Sequence, residues 1–391
     1  MSILDHDLAT RVEHRRTARD QFRTPARGPL PTDLLQPEEV YDQDLFDLEM
    51  LRVFARSWIW LGDTEDLREP GDYLTGQIGL QPVFVVRQAD GSLKGFLNAC
   101  RHRASPIAYG DTGHCPKSFT CPYHSWSYAL DGALLSVPDR RRMYGREFKL
   151  EDYGLVEFRV DVLFDKLVFG CLSRRQMSLE EWWAPMLPRY ERYGFDRFTR
   201  FHRDLDGVYP INWKAFMENS NDDYHVRFVH ARLNFMLKRV ETTFEVSGRC
   251  CSGYKPSAEG FDGTGGRTDL PEKDLRGFYA DAVYPNLSPL PSPTELWIVR
   301  ADPIAPDRTR LFSRVYGLNK SIEEQELTLE NLEATNIEDT DMVALTMRNL
   351  RSPLYAVGPP SKWETRAVHI DRLVRADVQT PLADDEFVTS D

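Results

Sequence analysis

Residues 98–126 read NACRHRASPIAYGDTGHCPKSFTCPYHSW. Two short phrases stand in them, Cys100-Arg101-His102 and Cys121-Pro122-Tyr123-His124, each in a turn-like setting with proline close by. Two thiolates and two imidazoles bind zinc, or a [2Fe–2S] cluster in which the cysteines hold one iron and the histidines the other. Zinc fingers usually pair like with like, Cys with Cys and His with His. Here each loop gives one of each, which suits a two-iron cluster, because each loop tip reaches both irons. Without a metal the same four residues would be core histidines and buried free thiols. Cys115 lies between the loops with no paired histidine and reads as structural, as do Cys171, Cys250 and Cys251.

Outward from this stretch, the surroundings are strand-rich. Trp58–Leu61 opens a β region. Val83–Arg87 and Leu93–Asn98 flank the turn Ala89-Asp90-Gly91-Ser92, and Ser127–Leu130 and Ala133–Val137 flank Asp131-Gly132. The result is a small all-β module over residues 56–160. Before it, residues 1–55 form an arm broken by Pro25, Pro31 and Pro37, with a helical pattern over Glu38–Arg56. After it, residues 161–391 are mixed. Val162–Leu172 reads as a strand leading into a helix at Leu179–Leu187, Asn212 opens a helical segment, Ser321–Leu350 reads as one or two helices, and Trp363–Val374 as a last one. The glycine-rich piece Gly260–Gly266 reads as a mobile loop. The fold class is α+β, with the β-module inserted between the arm and a larger body.

Composition narrows the classes of function. The chain has 391 residues, 49 Lys and Arg against 61 Asp and Glu, and a formal net charge of −12. An acidic chain is a poor general binder of nucleic acid or anionic membrane. No apolar run approaches the roughly 18 residues a membrane helix needs, and Met1–Arg16 lacks the apolar centre of a secretory signal. Six cysteines are too few for a disulfide scaffold. The expectation is a cytoplasmic protein.

A second constellation lies in residues 212–230, NWKAFMENSNDDYHVRFVH. Asp222, Asp223, His225 and His230 fall within nine residues. Asp222 and His225 are i,i+3 and share a helical face. His225 and His230 are i,i+5, about 140° apart on a straight helix, so one ion reaches both only if the helix distorts or ends between them, at Val226–Val229. A surface-acidic helix with satisfied histidines is the alternative.

CRHR followed by CPYHSW resembles the Rieske cluster motif, and with the second constellation downstream the whole chain resembles the catalytic α subunit of the ring-hydroxylating oxygenases. The resemblance implies Cys100 and Cys121 on one iron of the cluster and His102 and His124 on the other. Ser125 departs from it, since the family often has glycine there. It further implies one non-haem Fe(II) held by two histidines and a carboxylate, with His225 and His230 as the histidines. Asp222 matches the acidic residue that links the iron ligand of one subunit to the Rieske histidine, here His124, of a neighbour. Asn219 matches a residue near the open side of the iron. The family's third ligand lies on a later helix, within Asn336–Val343 here. Counting back from Met347–Pro353 favours Asp339, with Asp341 as the alternative. The glycine-proline signature that precedes this helix in many aromatic dioxygenases is missing.

By the same resemblance the body is a helix-grip, START-like domain of antiparallel sheet and helices. The implied activity is O₂-dependent hydroxylation of an aromatic substrate, with or without a carboxylate. Electrons would come from NAD(P)H through a separate flavin-containing reductase, with or without a ferredoxin, because the chain has no convincing dinucleotide-binding GxGxxG signature. The implied assembly is a homotrimer or α3β3. One alternative is an α-only monooxygenase or N-demethylase of a quaternary ammonium or alkylamine. An alternative of another class is a Rieske electron carrier without oxygenase activity. Tyr224, Phe228, Phe235, Phe244, Tyr254 and Phe261 are candidate pocket aromatics, and Arg232, Lys238 and Arg239 candidate partners for a substrate carboxylate.

Overall fold

The computed structural model describes residues 34–230, 243–258, 263–352 and 354–387. These divide into two compact units. The inserted unit is Met50–Glu181 with the described residues from Leu382. The larger unit is Trp182–Pro381 with the described residues up to Glu49.

In the inserted unit, seven strands form one sheet: β1 (Ile59–Asp63), β2 (Asp72–Ile78), β3 (Gln81–Arg87), β4 (Leu93–Leu97), β5 (Thr112–His114), β9 (Glu157–Leu163) and β10 (Leu167–Cys171). The order is β1-β10-β9-β4-β3-β2-β5 with antiparallel neighbours. Between β5 and β9 run β6 (Ser118–Thr120), β7 (Ser127–Ala129) and β8 (Leu134–Ser136), a separate three-stranded meander. The expected hairpins at Asp90-Gly91 and Asp131-Gly132 are present, with both glycines at positive φ as tight reversals require. Val162–Leu172 is not a single strand. The chain reverses at Phe164 and Asp165, both at positive φ, and pairs Val162 with Val168. This hairpin joins β1 and β4, which is why the unit extends well past residue 160.

The larger unit is built on an eight-stranded antiparallel sheet: β11 (Thr199–Arg200), β12 (Leu205–Tyr209), β13 (Thr243–Ser247), β14 (Cys250–Pro256), β15 (Gly277–Val283), β16 (Leu287–Pro291), β17 (Glu295–Ala305) and β18 (Arg308–Gly317). It runs β11-β18-β17-β16-β15-β14-β13, with β12 also on β18. Four helices matter for the site: α1 (Trp213–Ser220), α2 (Val226–Val229), α3 (Ile322–Leu350) and α4 (Thr365–Gln379). Helix α1 packs on β17, α3 and α4. The sequence pattern at Ser321–Leu350 becomes one uninterrupted helix, started by a capping box in which Ser321 accepts from the Glu324 N–H. The α+β class and the antiparallel-sheet body agree with the sequence reading. Among the described residues no helix is long and apolar enough to cross a membrane. Arg232, Phe235, Lys238, Arg239, Gly260 and Phe261 lie outside the described residues.

Candidate metal centres

The two Cys/His loops of the inserted unit share one backbone plan. The Cys100 N–H donates to the Ser105 carbonyl at 2.8 Å and the Ala104 N–H returns to Cys100 at 2.8 Å. The Cys121 N–H donates to the Trp126 carbonyl at 2.8 Å and the Ser125 N–H returns to Cys121 at 2.9 Å. Each plan needs a left-handed residue four past its cysteine, and Ala104 (φ 54°) and Ser125 (φ 58°) supply it. This is the physical reason a glycine would suit position 125. Asn98 clamps the first loop: its Oδ1 accepts from the Ile107 and Ala108 N–H groups and its Nδ2 donates to the Ala108 carbonyl.

The loop tips converge. Cys100 and Cys121 are buried free thiols in the module core. The His102 and His124 rings lie 4.4 Å apart, and His102 stacks on Trp126 at 5.1 Å and 9°. His102 Nδ1 is buried and has no hydrogen-bond partner, the state expected of a nitrogen that holds a metal. Burial pushes the Cys100 thiol up. At Cys121 burial acts the same way, but hydrogen bonding from the backbone at Tyr123 and His124 outweighs it and holds the thiol below its usual range. Tyr128 Oη accepts from the Arg101 N–H at 3.1 Å and lies 3.2 Å from Cys100 Sγ, so its own proton can point at the sulfur. The donor set and the orphaned nitrogen fit a cluster better than satisfied core side chains. Cys115 has no such role: it is a buried thiol whose N–H extends the pairing to Gly71.

The second constellation is assembled by three elements of the larger unit. Asn212 caps α1, its side chain accepting from the Lys214 N–H at 2.8 Å. The helix ends at Asn221, earlier than the sequence pattern suggests. Residues 221–225 form an irregular link, and α2 follows as a single turn with His225 at its N-cap and His230 at its C-cap. The i,i+5 problem is therefore solved without distortion between the histidines. Both sit at cap positions, and His230 leaves the helix at ψ 74°.

Helix α3 brings Asp339 to them. His225 Nε2 and His230 Nε2 are 3.2 Å apart, and Asp339 Oδ1 lies 3.3 Å from the first and 3.1 Å from the second. The three atoms form a near-equilateral face. Ligands about 2.1 Å from one octahedral ion at neighbouring positions would be about 3 Å apart. Asp339 is buried, and its Oδ1 accepts no well-formed hydrogen bond. Asp341 is exposed on the other side of α3 and takes no part. Burial pulls the His225 imidazole down, but Asp222 and Asp339 outweigh it and raise the group to about 9. His230 is raised for the same kind of reason by Asp339 and Glu338, and the pair of imidazoles keeps Asp339 well below the usual carboxylate range despite its burial. A face that attracts protons this strongly is negatively biased and suited to a cation.

Carboxylates back both rings. His225 Nδ1 is 3.3 Å from Asp222 Oδ2, and His230 Nδ1 is 2.8 Å from Glu338 Oε2. Each contact fixes the ring so that Nε2 faces Asp339. Of the two imidazoles the sequence reading gave Asp222, its contact here is with His225; Glu338 was not singled out, although it adjoins Asp339. Asn219 lies in the last turn of α1, and among the described residues its buried Nδ2 has no hydrogen-bond partner. Asp223, beside Asp222, is an anchor: it accepts from Arg366 at 2.9 and 3.2 Å and from Lys255, all three buried. Arg366 also donates to Asn221 Oδ1 at 3.0 Å, which ties the link to α4. A side chain at Gly253 would meet Arg366 at 3.0 Å and Asp223 at 3.2 Å, so the strand beneath this pair has to be bare. A lone arginine 143 residues downstream and a lone lysine 32 residues downstream carry no local signal of this network. Of the proposed pocket aromatics, Tyr224 and Phe228 are exposed and meet edge to face, with centroids 5.8 Å apart. Phe244 packs on Trp363 and Tyr254 on Tyr279.

Residues 57–154 match the family model for the Rieske [2Fe-2S] domain, and residues 190–380 that for the ring hydroxylating alpha subunit (catalytic domain). The chain belongs to the ring-hydroxylating Rieske oxygenase family. It is 34% identical over 200 residues to the large oxygenase component of a naphthalene 1,2-dioxygenase system from Pseudomonas aeruginosa, a match covering 49% of this chain and 43% of that one. It is 31% identical over 258 residues to the large oxygenase component of a 2,4-dinitrotoluene dioxygenase system from Burkholderia sp. (strain RASC), covering 61% and 56%. The matches thus span about half the length of these relatives. The fold is that of a quaternary ammonium Rieske monooxygenase (TM-score 0.76, 20% identity, 90% of this chain and 100% of that one) and of a naphthalene 1,2-dioxygenase with bound indole (TM-score 0.71, 23% identity, 89% and 92%). The family implies a Rieske cluster and a mononuclear iron, and the two constellations are where this chain has donors for them.

Proposed function

We propose that the chain is the oxygenase component of a multi-protein system that hydroxylates an aromatic substrate with O₂, drawing electrons from NAD(P)H through a separate reductase. The observation that carries this is the near-equilateral face of His225, His230 and Asp339, with 3.1–3.3 Å edges. Three ligands on one side of an ion leave its other side open. A mononuclear iron held there would supply the reductive activation of O₂, and Cys100, His102, Cys121 and His124 would hold a [2Fe–2S] cluster that would supply electrons singly.

The chain's own residues do the rest. Asp222 and Glu338 hold the Nδ1 protons of His225 and His230 and keep both Nε2 lone pairs aimed at the ion. Asp222 also remains the candidate for relaying electrons from a neighbouring subunit's cluster in a trimer. Asp223, Arg366 and Lys255 lock the link that carries it. Asn219, with a free amide nitrogen, is the candidate for a polar contact on the open side. Aromatic substrates are favoured because the relatives aligned at 34% and 31% identity are named for naphthalene and dinitrotoluene dioxygenation.

Iron counting tests the centres. Reconstituted protein should hold three irons per chain and show a Rieske visible spectrum, and His225→Ala should keep the spectrum, lose one iron and lose turnover. Turnover surviving His225→Ala would refute the iron site. With reductase present, product mass separates the reactions: gain of two hydroxyls or one from an aromatic supports the proposal, whereas formaldehyde from an alkylammonium would replace it. Two irons with full reducibility and no oxygen chemistry would leave an electron carrier.

A further inference from the structure

After β8 the inserted unit carries Asp139-Arg-Arg-Arg-Met-Tyr-Gly-Arg-Glu-Phe-Lys149. Arg140, Arg141, Arg142, Arg146 and Lys149 set five positive charges against Asp139 and Glu147, in a chain of net charge −12. All five are exposed except the half-buried Arg140. Among the described residues none of them forms an ion pair. Many arginines elsewhere are matched to carboxylates, as in Arg189–Asp281, Arg300–Asp302 and Arg314–Asp204. Arg140, Arg141 and Arg146 face one recess, with Gly145 and Phe148 in its wall.

The strip borders a cluster loop. Tyr144, in its middle, places Oη 3.5 Å from His102 Nε2 and its ring 5.9 Å from Trp126, which in turn stacks on His102. Met143 and Tyr144 are exposed, 68% and 39% accessible, and stand between Arg142 and Arg146 in the strip. A small apolar spot in a charged rim is the character of a transient electron-transfer encounter, which buries less than about 1,200 Å², and not of the larger apolar interfaces of permanent subunits. Unpaired charge of one sign steers an oppositely charged protein to the surface.

We propose that the Arg140–Arg146 strip with Lys149 is the docking face for an acidic one-electron carrier protein, with Tyr144 and Trp126 between that carrier and the cluster loop at His102. The inference rests on the function proposed above, which places a cluster on that loop. In the step it serves, the reduced carrier loses one electron and the oxidised cluster gains it; no bond or proton changes hands.

The test uses the cluster-loaded full chain and the variant Arg140→Gln/Arg141→Gln/Arg146→Gln, with a reduced acidic [2Fe–2S] ferredoxin as probe. Wild-type cluster reduction, followed by stopped-flow absorbance, should slow steeply as ionic strength rises. The variant should be about tenfold slower at low ionic strength and nearly insensitive to salt, and should bind the oxidised ferredoxin about tenfold more weakly by calorimetry. Reduction by methyl viologen radical, a small cation, should not slow. Unchanged ferredoxin rate and affinity would overturn the proposal, as would equal slowing with methyl viologen, or a changed native mass with carrier binding intact, which would make the strip a contact between copies. Failure of the underlying function is seen separately, as a wild-type chain without Rieske absorption before any carrier is added.

Discussion

At the scale of single residues, the candidate iron site depends on which acid of α3 points inward. Asp339 and Asp341 are two positions apart, about 200° around a helix, so only one can face α2. Asp339→Ala should lose the mononuclear iron and keep the visible spectrum, while Asp341→Ala should keep three irons per chain by metal analysis. Glu338 acts through His230. Glu338→Gln, which keeps the shape but weakens the acceptor, should lower iron affinity about 10- to 100-fold, read by competition with a chelator, without changing the Rieske spectrum. At Ser125, a left-handed backbone on a residue with a Cβ costs on the order of 1 kcal/mol; the loop's paired hydrogen bonds at Cys121 hold it there.

At the scale of elements, α1 is held at both ends by buried charge. At its start Glu49 accepts from Trp213 Nε1 at 2.9 Å and from Lys214 Nζ at 2.6 Å, with both charged groups buried. Glu49→Ala strands the Lys214 ammonium and should destabilise the larger unit by about 3–5 kcal/mol, measured as a fall in its unfolding temperature. Further along, Glu218 of α1 meets Asp371 of α4. Burial pushes the Asp371 carboxyl well above its usual range and Glu218 adds to this; burial raises Glu218 as well. A carboxyl raised in the fold binds its proton more tightly folded than unfolded. Its stabilising effect is full below the unfolded pKa of about 4 and is lost as pH rises through the folded value. Asp371→Asn, which cannot ionise, should therefore raise the unfolding temperature at alkaline pH and change it little at about pH 4 and below. An equal shift at both ends of the range would show that the pair does not hold the proton.

At the scale of the molecule, each unit has its own sheet and its own candidate centre. The thermal transition should split accordingly. Mild chelation should remove one iron of three, move the transition of the larger unit alone and leave the cluster absorbance to bleach with the inserted unit. A single transition that shifts as a whole on chelation would mean that the units do not unfold independently.

Much of this was legible in the residue string because some chemistry is local. Two Cys/His loops, two histidines with an acid before them, and turn pairs such as Asp90-Gly91 each declare themselves within a few positions, since their backbone and donor requirements are met by neighbours. The insertion of a β-module into an α+β body also follows from changes of period along the chain. What the string left open was long-range. It favoured Asp339 over Asp341 only through the resemblance, and it could not find Glu338 behind His230 or see that Glu49, Arg366 and Lys255 hold α1 and the link at Asp223, because a buried charge is specified by a partner far away in sequence. It ran β9 and β10 together as one strand, Val162–Leu172, because the reversal at Phe164-Asp165 is made by two non-glycine residues at positive φ and carries no turn signal. Local geometry is written in adjacent residues; the closing of a metal face and the pairing of buried charges exist only once the chain has folded back on itself.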